Sequence, residues 1–175
     1  MAKILIIYST TDGHTQKICI RLQDVTERMG HRVTLCSITD CHSLDLRSFD
    51  KIVIGASIRY GRHSPLVTEF IERNRELLDS KPNAFFSVNV VARKPEKNRP
   101  EANPYLQKFL KGISWQPREL AVFAGKIDYP SYGFLDRTMI RLIMWMTKGP
   151  TDPQAVVEFT DWQQVEEFGR LVGKM

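Results

Sequence analysis

Cysteine is scarce in this 175-residue chain: Cys19, Cys36 and Cys41 are the only three. Their spacing fits no metal-ligand pattern, and an odd number cannot close a disulfide framework, so reduced thiols in a cytoplasm are expected and no metal is called. No apolar run approaches the roughly 20 residues needed to cross a bilayer. The N-terminal apolar run is too short for a signal-peptide core and suits a first strand better. Neither GxxxxGK(S/T) nor GxGxxG occurs, which removes the P-loop and the dinucleotide fingerprint. Repeats and low-complexity segments are also missing.

What is present is an ordinary globular composition, 42% apolar and 26% charged, expected to form one domain over residues 1–175. The net charge of +5 favours anionic partners without choosing among nucleic acid, anionic lipid and a carboxylate-bearing substrate. The one basic loop, Arg93–Arg99, is short and has no interleaved aromatics, which counts against nucleic acid.

Ile4 to Ile7 and the KIVIGA run from Lys51 to Ala56 read as parallel strands covered on both faces. Further strands are expected at His31–Cys36, Asn83–Val90 and Glu119–Ala124. Helices are expected at His14–Met29, after Ser64-Pro65 with an apolar face from Leu66 to Leu78, at Glu101–Leu110, and after Thr160-Asp161 with Trp162, Val165, Phe168, Leu171 and Val172. Strands alternating with helices imply an α/β doubly wound, five-stranded parallel sheet. Ligands bind such sheets beyond the carboxyl ends of the strands, so the loops at Ser9–Thr15, Ser57–Arg62 and Ser87–Lys94 should converge on one site.

The first of these loops carries Ser9, Thr10, Thr11 and Thr15 around Asp12-Gly13, followed by a helix whose N–H groups and dipole point back at it. Hydroxyls and backbone donors without lysine suit a phosphate monoester. The same residues also suit a plain strand-to-helix turn with a Ser/Thr/Asp cap.

Between the last strand and the last helix lies a segment too long for a simple connection, an insertion at about 127–152. Residues 134–147 read as a helix apolar around most of its circumference, with Arg137 and Arg141 as a cationic edge that Lys148 extends. Three of the six Met, at 139, 144 and 146, fall in it. Such a helix either packs on the core or offers an adaptable apolar surface to a membrane, a lipophilic substrate or a partner.

The strings STTDGHT, GASIRYG, SVNVVARKPEK and YPSYGFLDRTMIRLIMWMTKG, with TDW before the last helix, resemble the flavodoxin-like family. Within it they resemble the quinone-dependent bacterial protoporphyrinogen oxidases, from Lys3 to about Leu171. The resemblance implies FMN as cofactor. Its phosphate would be held by Ser9, Thr10, Thr11, Asp12, Gly13, His14 and Thr15. Many flavodoxins have Thr-Gly-Asn-Thr where Asp12-Gly13-His14-Thr15 stands here, and Asp12 would repel a phosphate unless its side chain turns away to cap the helix. Ser57, Ile58, Arg59, Tyr60 and Gly61 would flank the isoalloxazine, with Tyr60 placed to stack on it. Ser87, Val88, Asn89, Val90, Val91 and Ala92 would meet the ring edge, without the Tyr that many flavodoxins stack there.

The reaction implied is oxidation of protoporphyrinogen IX to protoporphyrin IX in haem biosynthesis, with menaquinone or ubiquinone as acceptor. The flavin would carry the chemistry, with no obligatory catalytic side chain. Arg59, Arg62, Arg93 and Lys94 are candidates for the substrate propionates. Phe134, Leu135, Met139, Ile140, Ile143, Met144, Trp145 and Met146, with Arg137 and Arg141 toward headgroups, are candidates for membrane or quinone contact. A peripheral place on the cytoplasmic face of the bacterial inner membrane follows as an expectation, and an oligomer is left open. The competing readings are a flavodoxin-type FMN electron carrier, a basic binding module without flavin, and a nicotinamide-fed quinone reductase.

Overall fold

Ile4, Leu5, Ile6 and Ile7 are all fully buried in the computed structural model, which describes residues 1–175. A strand can bury successive residues only if both faces are covered, because its side chains alternate between them. β1 (Lys3–Ser9), β3 (Lys51–Ser57) and β4 (Asn83–Asn89) all behave this way. With β2 (Arg32–Ser37) and β5 (Glu119–Ala124) they form one parallel sheet in the order β2-β1-β3-β4-β5.

Leu5, Ile7, Ile52, Ile54 and Phe85 point to one face, where α2 (Pro65–Ser80) and α3 (Pro104–Lys111) add Val67, Ile71, Leu78 and Leu106. Ile4, Ile6, Val53, Phe86 and Phe123 point to the other, against Ile18 and Leu22 of α1 (His14–Arg28) and Val165, Phe168 and Val172 of α5 (Trp162–Lys174). Gly55 makes room for this second core: a Cβ there would lie 2.1 Å from the Phe86 ring.

Several boundaries and faces differ from the sequence expectation. α3 starts at Pro104, not Glu101. Pro100 and Pro104 hold the residues before them out of helical geometry, and Asn103 becomes the cap by accepting from Leu106 N–H at 3.2 Å. Leu66 is 42% exposed and Val67 takes the inward place on α2. Leu171 likewise faces outward on α5.

The insertion is built as β6 (Lys126–Asp128), α4 (Phe134–Met146) and β7 (Val156–Glu158), the two strands pairing antiparallel. Strands of three residues are too short to show a period in the sequence. Beneath them Ile127, Tyr129, Tyr132 and Met144 form a separate small core.

Candidate functional site

Parallel strands end together, so the segments after β1, β3, β4 and β5 meet at one edge of the sheet, where they and the inner side of α4 line a cavity. Thr10, Thr11, Asp12, His14 and Thr15 come from the first segment, and Ser57, Ile58, Arg59, Tyr60 and Gly61 from the second. The third supplies Val88, Asn89, Val90 and Val91.

Gly13 holds a left-handed φ of 85°, which turns the chain from β1 into α1. Thr10 Oγ1 accepts from Gly13 N–H at 2.9 Å. No side chain caps α1, and its first turn carries no acidic residue, so its N–H groups stay available. The Thr15 hydroxyl is buried and has no hydrogen-bond partner. Asp12 does not cap the helix. Its carboxylate accepts from Arg59 Nη2 at 2.5 Å, which neutralises it beside the loop. The Thr160 hydroxyl gives its hydrogen to Ala124 O and so accepts from His14 Nε2 at 2.6 Å. Burial lowers the pKa of His14, and Lys17 and Lys126 act in the same direction against Glu158.

In the second segment Arg59 and Arg62 exchange backbone hydrogen bonds around a tight turn. Both turn residues, Tyr60 (φ 52°) and Gly61 (φ 78°), lie in the left-handed region. A bulky residue held there is strained and persists only where its surroundings demand it. The turn presents the Tyr60 ring, 50% exposed, at the rim of the cavity.

The third segment rests on a buried polar network. Asn89 Oδ1 accepts from Ala92 N–H at 3.1 Å and Asn103 Nδ2 at 3.0 Å, and Asn89 Nδ2 donates to Ser87 Oγ at 3.2 Å. His63 Nε2 stands 2.9 Å from the same Ser87 Oγ, and burial pushes its pKa down to about 4. Ser87 and Ala92 therefore lie behind the cavity, supporting it, and do not line it as the sequence reading had them.

The cations divide sharply. Arg59 lines the cavity, lies over the Tyr132 ring at 5.4 Å and stands 3.9 Å from Asp136. Arg62, Arg93 and Lys94 do not line it. Arg93 donates to Val90 O, Thr147 O and Thr147 Oγ1 at 2.9–3.1 Å, tying the third segment to the end of α4.

The two sides of α4 also part company. Of the residues expected at a membrane or quinone contact, Ile140, Ile143 and Met144 face the cavity and are turned away from any membrane surface. Arg137 donates to the carbonyls of Tyr129 and Tyr132, and Arg141 Nε to that of Thr151, so the expected cationic edge is largely engaged with the insertion's own backbone. Phe134 (81% exposed), Leu135, Met139, Leu142, Trp145 (72%) and Met146 face outward. No helix is long and apolar enough to cross a membrane.

Sequence reasoning missed Tyr105, Gly125, Lys126, Ile127, Asp128, Ser131 and Tyr132 in the lining. The rule that gathered the other segments also covers the carboxyl end of β5, so Gly125 to Asp128 were within its reach. Tyr132 carried no such signal, because only the packing of the insertion brings it over Arg59.

The flavodoxin domain profile matches residues 5–154. A protein of Escherichia coli (strain K12) named protoporphyrinogen IX dehydrogenase (quinone) is 42% identical over 173 residues, 99% of this chain and 96% of its own length. A Leishmania major protein of the same name is 41% identical over 95% of this chain and 72% of its own. Among solved structures, two-electron reduced Megasphaera elsdenii flavodoxin aligns with TM-score 0.56 at 12% identity, covering 98% of this chain and 99% of its own. Oxidised flavodoxin 1 from Bacillus cereus aligns with TM-score 0.54 at 15% identity, covering 99% and 98%. These two share the fold.

Proposed function

We propose that this chain, which belongs to the flavodoxin domain family, binds FMN and oxidises protoporphyrinogen IX to protoporphyrin IX with a quinone as electron acceptor. The observation that carries the reading is identity at 42% across nearly the whole of both chains, insertion included. An electron carrier needs no roofed pocket for a second molecule, whereas here Ile140, Ile143 and Met144 of α4 close over the cavity.

The cavity suits the cofactor on physical grounds. Thr15 Oγ1 is a buried hydroxyl without a partner, and such a group calls for a ligand. With the uncapped N–H groups of α1 and the Thr10 and Thr11 side chains it would hold a phosphate. Arg59 draws the Asp12 charge away from that place. Tyr60 offers its ring at the rim, and Val88 to Val91 line the wall formed by the neighbouring segment, held by the Asn89–Asn103 pair. The flavin, when bound, supplies the hydride-accepting chemistry. The chain positions the reactants, and α4 keeps water from them.

A peripheral membrane contact belongs to this proposal. The outward side of α4 is apolar, with Arg141 and Lys148 exposed at its border. Through Arg93 it adjoins the 93–99 loop, where Lys94, Lys97 and Arg99 outweigh Glu96. An apolar helix face framed by cations fits an anionic bilayer, the phase in which long-chain quinones dissolve.

The test is anaerobic turnover of the purified chain with FMN, protoporphyrinogen IX and a menaquinone analogue, followed by porphyrin fluorescence. Porphyrin formation dependent on both FMN and quinone is the expected result. Flavin binding without porphyrin formation would favour the electron carrier.

A further inference from the structure

Arg59 is committed on one side only. Nη2 donates to Asp12 of the phosphate-binding loop at 2.5 Å. Nη1 is buried and has no hydrogen-bond partner. The Asp136 carboxylate faces it, with Oδ2 at 3.9 Å, outside hydrogen-bond reach. The Arg59 side chain is only 18% exposed and its guanidinium lies over the Tyr132 ring. A buried guanidinium N–H left without an acceptor is costly, and a cation of fixed planar geometry matches an oxyanion better than any other group. Asp136 is 42% exposed on the first turn of α4, free to swing outward from Arg59.

We infer that Arg59 Nη1 anchors a carboxylate of the substrate, and that Asp136 is the placeholder the substrate displaces. The inference deepens the proposed function and rests on it: protoporphyrinogen IX carries propionates. The two nitrogens of one guanidinium then serve two ends of the site. Nη2 fixes the phosphate loop through Asp12, and Nη1, on the side of α4, takes the substrate. A phosphate is the other oxyanion at hand. It is already provided for by Thr15, Thr10 and the start of α1, and it would sit on the Nη2 side.

The experiment compares protoporphyrinogen IX with its dimethyl ester as substrates of the FMN-loaded protein, and measures protoporphyrin binding by fluorescence. The unaltered protein should prefer the acid. Arg59→Met should raise KM for the acid and weaken protoporphyrin binding roughly ten- to hundredfold, the weight of a hydrogen bond to a charged group, and remove the preference over the ester. Asp136→Asn, which removes the competing carboxylate, should lower KM for the acid and tighten protoporphyrin binding. Asp12→Asn disturbs the same loop from the Nη2 side and should keep the preference. If Asp12→Asn abolishes the preference as Arg59→Met does, Arg59 is structural and the anchor is overturned. If Arg59→Met instead erases discrimination between FMN and riboflavin, Nη1 serves the phosphate and the anchor is again overturned. Equal KM for acid and ester in an active unaltered protein overturns the anchor alone. No turnover of either substrate overturns the proposed function, and the anchor with it.

Discussion

His63 and Thr15 show how a single side chain can be read for two different purposes. His63 is buried between Phe85 and Phe109 and keeps one polar contact, to Ser87. Its pKa of about 4 in the fold lies below the ordinary 6.5. The unfolded chain therefore binds a proton that the folded chain refuses between these values. Stability from His63 is complete above about pH 6.5 and is lost as pH falls toward 4, on the order of 3 kcal/mol in all. Denaturant titrations from pH 8 to pH 4 should show a shallower decline for His63→Gln than for the unaltered protein; parallel curves would mean that the imidazole is not held neutral. Thr15 is buried too, but its hydroxyl is unsatisfied. Thr15→Val should keep the fold and reduce FMN affinity roughly tenfold while leaving riboflavin affinity unchanged, as expected for loss of one hydrogen bond to a charged phosphate. Equal loss for both flavins would place the hydroxyl away from the phosphate.

At the scale of elements, α4 is the one helix whose larger apolar share faces away from the core. Leu135→Glu or Trp145→Glu replaces an outward side chain and should cost little stability. Each should weaken binding to anionic lipid vesicles roughly tenfold, the weight of one large apolar side chain leaving the interface. Sedimentation with vesicles measures this, and undiminished binding of the double variant would remove α4 from the contact. The strands were legible in the sequence because burial on both faces writes an unbroken apolar run, as in Ile4–Ile7 and KIVIGA. Three loops of the site followed from one rule about strand ends. The division of α4 into an inner and an outer side was not legible, since a helix apolar all round gives no phase. Nor was the fate of Arg93: a guanidinium in a basic loop points to an anion until Thr147, distant in sequence, supplies its carbonyl.

At the scale of the whole molecule, the protein joins a parallel sheet with two large cores to an insertion whose own core holds four buried residues. The sheet carries the loops that would hold the cofactor, and the insertion roofs them. Its side-chain hydrogen bonds to the rest are few: Arg93 to Thr147, and Lys17 and Trp162 to Glu158. Regions with small cores and few ties open on their own, well below the free energy of global unfolding. Amide exchange should therefore be slowest in β1, β3 and β4 and much faster across 126–158, through local opening of the insertion. Arg93→Ala should speed exchange in 126–158 and leave the three central strands unchanged, because it cuts a tie to the roof without touching either large core. If the central strands accelerate equally, the insertion and sheet unfold as one cooperative unit. In that case access to the cavity does not pass through opening of the roof, and reactants must enter past the rim formed by Tyr60.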